Sequence, residues 1–188
     1  LNIDRIEIAS ARVSEGEFQG VKGIMAWAKE KGYSKRIEVL TFVDGGLSIE
    51  WMKSTGAKVQ NLLTKGSLNH LTHQLKKTPE QHFSEIAAAI ILAQENNIDT
   101  NVYLEDCTNG MRNSPEYVFQ YLDFLTKQAV KRILLPDTLG VLIPAETFNF
   151  ISQITARYPN THFDFHAHND YDLSVANVME AVKAGING

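Results

Sequence analysis

The sequence has a single cysteine, Cys107, so no disulfide can form within its 188 residues. A membrane-spanning helix needs about 20 consecutive apolar residues, and no apolar run in the sequence comes near this length. We also expect no signal peptide at its start. A formal net charge of −4 gives no electrostatic reason to bind nucleic acid or an anionic membrane. These absences favour a cytoplasmic protein that binds neither nucleic acids nor membranes.

The composition, 44% hydrophobic and 21% charged, is that of an ordinary globular domain. A chain of 188 residues can bury one substantial core, and no linker or low-complexity segment interrupts it. The first residue is Leu1 rather than Met, and an apolar strand follows within a few residues. We therefore expect the chain to be a piece of a longer protein.

Short runs rich in Ile, Val, Leu and Phe recur along the chain and end in polar residues, a pattern that predicts strands. The six predicted strands are Asp4–Ser10, Arg36–Val43, Lys58–Thr64, Asp99–Asp106, Lys131–Asp137 and Thr161–His168. Helical periodicity, often with proline in the first turn, separates most of them. The predicted helices are Gly20–Lys31, Pro79–Asn96, Pro115–Lys127, Pro144–Arg157 and about Asp172–Ala184.

Alternating strands and helices indicate a parallel sheet, either an open doubly wound sheet or a barrel. An open dinucleotide-binding sheet would carry G-x-G-x-x-G after its first strand, and the sequence has none. Polar residues instead follow every strand, as in (β/α)₈ barrels. A complete barrel takes about 250 residues. We therefore predict an incomplete (β/α)₈ TIM barrel of about six βα units, with its first and last strands missing.

The stretch FDFHAHNDYDLSVAN, from Phe163 to Asn177, carries the clearest chemical signal. His166 and His168 lie two residues apart on a strand, so both imidazoles face the same side. Imidazole is a common ligand of divalent transition metals, although two histidines can also form an ordinary polar strand end. Asn169 and Asp170 follow at once and favour the metal site.

Two strings, LPDTLGV (Leu135–Val141) and HAHNDYDLSVANVMEAVKAG (His166–Gly185), resemble the enzymes that join acetyl-CoA to 2-oxo acids. These are the 2-isopropylmalate, citramalate and homocitrate synthases, which form a metal-dependent barrel superfamily with the hydroxymethylglutaryl-CoA (HMG-CoA) lyases. The stretches LLTKGSL and YLEDCTNGMRNSPEYV look most similar to bacterial citramalate synthase and to citramalate-like 2-isopropylmalate synthases. The resemblance implies that residues 1–188 form part of a catalytic barrel domain, without a regulatory domain.

The resemblance also implies roles for individual residues. His166 and His168 match ligands of a divalent metal (Mn²⁺, Mg²⁺ or Zn²⁺) that binds the 2-oxo acid, and acetyl-CoA is the co-substrate. Thr138 matches a hydroxyl that binds the substrate carboxylate. Glu105 matches a catalytic carboxylate beside the acyl groups, with a role in positioning or proton transfer. Family members are usually homodimers.

A substrate pocket is implied as well. Leu40, Leu63 and Tyr103 match the positions that surround the methyl group of pyruvate in citramalate synthases. Glu7 matches a carboxylate near the metal and substrate, or is a buried ion-pair partner. One methylene in such a pocket discriminates by only about 1–3 kcal/mol. Pyruvate and 2-oxoisovalerate both stay open, and with them isoleucine or leucine biosynthesis.

Several other residues have a functional and a structural interpretation. Lys65 and Ser67 either contact CoA or are merely solvated, and Cys107 is expected to be a small buried residue. Asn109 and Arg112 are predicted in a polar loop that shapes the barrel mouth. We also expect three histidines at the surface and two tryptophans in helix packing: His70, His73, His82, Trp27 and Trp51.

The chain departs from the family pattern in its motifs. The R-D-G-E-Q motif, with a metal-binding aspartate and a catalytic arginine, is absent and expected before Leu1; N-G-x-G-E-R is expected after Gly188. Without them we expect weak metal binding and little activity from this chain alone. The alternatives are an HMG-CoA-lyase-like carbon–carbon lyase and a non-catalytic interaction module that retains the fold.

Overall fold

Strands and helices alternate along the chain in the computed structural model, which describes residues 3–188. The strands are Ile6–Ile8 (β1), Ile37–Phe42 (β2), Val59–Lys65 (β3), Asp99–Glu105 (β4), Val130–Asp137 (β5) and Phe163–Ala167 (β6). The α-helices are Glu15–Glu30 (α1), Leu47–Thr55 (α2), Pro79–Glu95 (α3), Cys107–Asn113 (α4), Pro115–Leu125 (α5), Pro144–Arg157 (α6) and Ser174–Lys183 (α7). A π-helical segment, His70–Leu75, precedes α3.

The strands form one sheet in chain order, β1 to β6. The recorded registers of β1 with β2, β2 with β3, and β5 with β6 are all parallel. Helical segments connect each strand to the next, as parallel pairing requires. This architecture confirms the predicted incomplete (β/α)₈ barrel with six βα units.

The first helix begins earlier than predicted, at Glu15 instead of Gly20. Ser14 caps it, because its hydroxyl accepts a hydrogen bond from the backbone N–H of Glu17 at 3.2 Å. Acidic residues in the first turn further favour this start. The glycines of this stretch lower its intrinsic helix propensity, and they concealed the start of the helix from the sequence pattern.

Two helices were missed in the sequence. Helix α2 lies between Gly46 and Gly56, both in left-handed conformations with φ of 100° and 77°. Such glycines end regular structure, and they made this nine-residue segment resemble a long turn. The stretch predicted as a polar loop with Asn109 and Arg112 is helix α4, so that prediction was wrong.

Contacts divide the chain into two compact units. The first comprises Leu1–Leu63 and Ser84–Asn101, and its core lies between α1, α2, α3 and the strands. Its buried core residues include Val21, Met25, Val39, Ile49, Met52, Ala93 and Ile98.

The second unit comprises Thr64–Phe83 and Val102–Gly188. Aromatic packing is prominent there: the Phe83 ring stacks on Phe124 at 4.9 Å and on Tyr121 at 5.0 Å. His82 contacts Tyr121 with ring centroids 5.6 Å apart and is only 2% exposed. The prediction that His82 lies at the surface was therefore wrong, because α3 turns this histidine onto the aromatic cluster.

The predictions for the other histidines and for the tryptophans were partly right. His73 is exposed, as predicted, whereas His70 is half-buried. Trp51 packs edge-on against Phe18 at 4.9 Å, which confirms its packing role. Trp27 is 49% exposed, and its aromatic contact is with the nearby Tyr33, so the packing prediction was wrong for it.

No helix in residues 3–188 is long and apolar enough to cross a membrane.

Two adjacent isoleucines test which face of α3 is buried. Ile90 is 2% exposed and Ile91 is 52% exposed. We expect Ile90→Ala to lower the free energy of unfolding by about 2–5 kcal/mol, because it leaves a cavity. Ile91→Ala, the matched control, is expected to change it by less than about 0.5 kcal/mol. Urea unfolding measures both, and equal losses would contradict the assigned helix face.

Candidate active site

The residues predicted to form the site fall in both units. The first unit contains Glu7, Leu40 and Leu63. The second contains Tyr103, Glu105, Thr138, His166 and His168, all at or near the carboxyl ends of β4, β5 and β6. In parallel sheets this edge is where ligands bind.

His166 and His168 lie side by side at the end of β6. Their ring centroids are 5.1 Å apart, and both residues are exposed. Tyr103 contacts His166 edge-on, with its hydroxyl 3.3 Å from Nδ1. This contact at Nδ1 restricts the orientation of the His166 ring.

The histidine pair fits two positions of a divalent metal site. Imidazole nitrogens suit such ions, and a hydrogen bond at the second ring nitrogen, here to the Tyr103 hydroxyl, orients a ligating histidine. Within residues 3–188 there is no group of three or more His, Cys, Asp or Glu side chains arranged to hold a metal. An ion bound here would therefore take its other ligands from elsewhere.

Thr138 lies at the end of β5, next to the fully buried Asp137. The Asp137 carboxylate accepts hydrogen bonds from the Thr108 hydroxyl at 3.2 Å and from the Leu142 N–H at 3.0 Å, which fixes the turn. The Thr138 hydroxyl oxygen accepts the N–H of Asp106 at 2.8 Å. Its own proton remains able to donate to a ligand.

The two motifs of the sequence analysis contact each other through Gly140. This residue has φ of +60°, and a Cβ there would lie 2.6 Å from the backbone nitrogen of Asp170. The N–H of Tyr171 donates to the Gly140 carbonyl at 3.2 Å. The glycine thus allows the loop that follows His168 to pack directly on the turn that follows Thr138.

Glu105 forms an ion pair with Lys65. Lys65 Nζ lies 2.5 Å from Glu105 Oε2, and their side chains are 17% and 22% exposed. The Gly66 N–H also donates to the Glu105 carbonyl at 2.7 Å. The expectation that Lys65 is merely solvated is therefore wrong, because this lysine is the last residue of β3 and not part of a free loop.

Asp106 organises a polar cluster that sequence reasoning missed. Its carboxylate accepts hydrogen bonds from Ser67 Oγ and Asn109 Nδ2, both at 2.7 Å, and lies 3.5 Å from His70 Nε2. Ser67 is 1% exposed and so is not solvated. The adjacent cavity of about 510 Å³ is lined by Ser67, Leu68, Asn69, Thr72, His73, Asp106, Asn109, Asn113 and Ser114.

Cys107 and Arg112 have structural roles on α4. The Cys107 thiol is 3% exposed, and burial raises its pKa, as do the charges of Asp106 and Asp137. It stays a neutral thiol, which confirms the prediction of a small buried residue. Arg112 Nε and Nη2 bind the two oxygens of Glu146 at 2.9 and 2.6 Å. These hydrogen bonds raise the pKa of Arg112 and lower that of Glu146.

Glu7 belongs to a polar ladder in the first unit. Asn61 Nδ2 donates to the carboxylates of Glu7 and of Glu38, the latter at 3.1 Å, and Asn101 Nδ2 donates to Asn61 Oδ1 at 2.8 Å. The β2–β3 register pairs Leu40 with Asn61, so this leucine shares the ladder's face of the sheet. Leu63, two residues after Asn61, shares it too.

Comparisons with known proteins agree with this architecture. The HMGL-like family model matches residues 1–188. A 2-isopropylmalate synthase of Polaromonas naphthalenivorans is 28% identical over 98% of this chain and 36% of its own length. A homocitrate synthase of Sulfolobus acidocaldarius is 25% identical over 98% and 39%, respectively. The chain thus spans little more than a third of these relatives, and the predicted family resemblance is confirmed.

Solved structures share the fold. The HMG-CoA lyase of Bacillus subtilis matches 90% of this chain and 55% of its own, with a TM-score of 0.77 and 22% identity. An HMG-CoA lyase of Acinetobacter baumannii, in complex with coenzyme A and 3-methylmalate, matches 99% and 74%, with a TM-score of 0.70 and 16% identity. At these identities the similarity concerns the fold.

The contact at Gly140 can be tested by adding one methyl group. We expect Gly140→Ala to lower the free energy of unfolding by at least about 1 kcal/mol, because alanine disfavours this φ. It should also shift the backbone amide NMR signals of His168 and Asp170. Gly23→Ala is the control: it lies within α1, where a Cβ meets nothing within 4 Å, and should stabilise by about 0.5–1 kcal/mol. Unchanged signals in Gly140→Ala would contradict the contact.

The Arg112–Glu146 pair predicts a pH dependence of stability. The folded pKa of Glu146 is lowered, so its contribution is present above the unfolded value of about 4.3 and lost as pH falls through the folded pKa. The side chains of Arg112 and Glu146 are 28% and 32% exposed, so solvent screens the pair. We therefore expect Glu146→Gln to lower the free energy of unfolding by up to about 1 kcal/mol at pH 7. This cost should be smaller at pH 3, where more of the carboxylate is protonated. Urea unfolding at both pH values measures it, with the exposed Glu95→Gln as control; a cost that is undiminished at low pH would refute the assignment.

Proposed function

The chain belongs to the HMGL-like family, and from this premise we propose that it is part of an acyltransferase that condenses acetyl-CoA with a 2-oxo acid. The observation that carries the proposal is the histidine pair at the end of β6, oriented by Tyr103, beside the turn that holds Thr138. The relatives that support it are synthases of 2-isopropylmalate and homocitrate. These products form when an acetyl unit adds to a keto carbon.

The chain's own residues have distinct tasks in this reaction. A divalent ion, when bound by His166 and His168, would polarise the keto oxygen of the 2-oxo acid as a Lewis acid. Thr138 donates a hydrogen bond from its hydroxyl group to the substrate carboxylate. Tyr103 fixes the orientation of His166. Glu105 positions the acetyl group or accepts a proton from its methyl group.

The overall reaction consumes one molecule of water. The acetyl methyl group loses a proton, and the resulting enolate carbon forms a bond to the keto carbon, whose oxygen takes up a proton. Water then cleaves the thioester and releases the free thiol of CoA. Hydrolysis makes the condensation effectively irreversible.

We propose that Tyr103 contacts the side chain of the 2-oxo acid, a role that the family resemblance also implies for Leu40 and Leu63. Bulky walls favour the methyl group of pyruvate, as in citramalate synthases, whereas 2-isopropylmalate synthases take the larger 2-oxoisovalerate. One methylene changes binding by only about 1–3 kcal/mol, so both acids are candidates. The corresponding pathways are those of isoleucine and leucine. A homodimer in the cytoplasm is part of the same proposal.

The polar cavity beside Asp106 is the proposed place for part of the CoA moiety. Its walls carry hydroxyl, amide and imidazole groups, which suit the amide-rich arm of CoA. Asp106, which lines the cavity, directly follows Glu105 in the chain. A thioester bound in the cavity would therefore lie near the Glu105 carboxylate.

Release of the CoA thiol from acetyl-CoA tests the proposal. We expect release with Mn²⁺ or Mg²⁺ and one of pyruvate, 2-oxoisovalerate or 2-oxoglutarate, from the product of the intact gene. Chelation should abolish it and added Mn²⁺ restore it. His166→Ala and His168→Ala should each slow it more than about 100-fold, since each removes a ligand. His162→Ala, at the opposite end of β6, is the control.

The remaining outcomes separate the alternatives. Activity from the 188-residue chain alone would show that it carries every essential group, contrary to expectation. Cleavage of HMG-CoA without any thiol release from acetyl-CoA would favour a lyase. No reaction with any acid or thioester would favour an interaction module.

A further inference from the structure

Lys65 and Glu105 end two neighbouring strands, β3 and β4, and their charged groups meet at 2.5 Å. Both side chains are mostly shielded from water, at 17% and 22% exposure. Among residues 3–188, the hydrogen bond between the two charged groups joins Nζ to Oε2 alone. This arrangement fixes a carboxylate while leaving one of its oxygens for another partner.

The backbone around Lys65 is held from several sides. The Lys65 carbonyl accepts the Tyr117 hydroxyl at 3.2 Å. Thr64 Oγ1 accepts the Tyr121 hydroxyl and donates to the Tyr103 carbonyl, both at 2.6 Å. Burial raises the pKa of both tyrosines, so they remain neutral hydrogen-bond donors at physiological pH.

Gly66 brings the two strand ends together. A Cβ at this residue would lie 2.6 Å from the Leu104 carbonyl oxygen, so only glycine allows this approach. The Gly66 N–H then donates to the Glu105 carbonyl at 2.7 Å. A backbone hydrogen bond therefore joins the two strand ends beside the charged groups. It fixes the position of the backbone from which the flexible Lys65 side chain extends.

We propose that Lys65 is a positioning residue for Glu105: its ammonium holds one carboxylate oxygen so that the other faces the acetyl group. This inference rests on the proposed function, in which Glu105 positions the acetyl group or accepts its proton. It differs from the earlier expectation that Lys65 contacts CoA, because the ammonium is already engaged by Glu105. A lysine that acts through Glu105 changes turnover, whereas one that binds CoA changes affinity.

Chemical crosslinking tests the pairing independently of activity. A water-soluble carbodiimide joins an ammonium and a carboxylate in contact as an amide, with loss of one water. We expect a Lys65–Glu105 crosslink in the 188-residue chain by peptide mass spectrometry. The exposed Lys53–Glu50 pair, at 3.2 Å, is the positive control for the reagent, and Lys65→Arg is the negative control. Absence of the Lys65–Glu105 crosslink while Lys53–Glu50 reacts would overturn the proposal.

Steady-state kinetics test the role. In the product of the intact gene we expect Lys65→Met to lower kcat about 10- to 100-fold, since a shift of about 1 Å in a catalytic group has effects of this size. KM for acetyl-CoA should change less than about threefold, and Lys65→Arg should recover most of the lost kcat, because it restores a cation. Lys53→Met, which removes an exposed lysine of α2, is the control and should leave both parameters unchanged.

A double-mutant cycle decides between acting through Glu105 and acting alone. If Lys65 works through Glu105, then Lys65→Met has no further effect on kcat once Glu105→Gln is present. Equal losses in both backgrounds, or a loss confined to KM for acetyl-CoA, would overturn the proposal. If the wild type releases no thiol with any acid, the proposed function fails, and the crosslink alone then retains or rejects the pairing.

Discussion

Parallel pairing of the strands is the constraint on which this structure depends. A parallel sheet in chain order places the carboxyl end of each strand on the same edge, and each helix must return the chain to the opposite edge. Polar residues follow β3, β4 and β5 at this edge, where the Ser67 hydroxyl donates to the Asp106 carboxylate and the Asp106 N–H donates to the Thr138 hydroxyl oxygen. Tyr103, Glu105, Thr138 and His166 owe their location to this topology.

Close backbone approaches turn that edge into a defined site. A Cβ at Gly66 would meet Leu104, one at Gly110 would lie 2.6 Å from the Gly66 carbonyl oxygen, and one at Gly140 would meet Asp170. At each point, the absence of a side chain allows two segments of the chain to touch. The three glycines thus fix β3 against β4, α4 against β3, and the turn after β5 against the loop after β6. Side chains on these segments have little freedom to move apart.

Periodicity and strand-end polarity were enough to predict the six strands and the barrel architecture, because both follow from the alternation of buried and exposed positions. The same pattern located His166 and His168 on one face, and the resemblance added Thr138 and Glu105. It failed at α2, whose flanking glycines resemble turns, and at α4, whose residues Cys107–Asn113 are polar enough to resemble a loop. His82 was misplaced for a related reason: a polar residue near a helix start is usually exposed, but here tertiary packing against Tyr121 prevails.

Two ion pairs of the second unit show why sequence reasoning could not find the role of Lys65. Arg112 and Glu146 meet through two hydrogen bonds, a geometry that uses both carboxylate oxygens and serves to tie α4 to α6. Lys65 uses a point charge on one oxygen of Glu105, and the sequence separates the two residues by 40 positions. Desolvating such a pair offsets much of its Coulomb attraction, so stability alone is a weak reason for it to exist. A pair with a small expected net effect on stability, whose hydrogen bond within residues 3–188 uses Oε2 alone, is better explained by the chemistry of Glu105 than by folding.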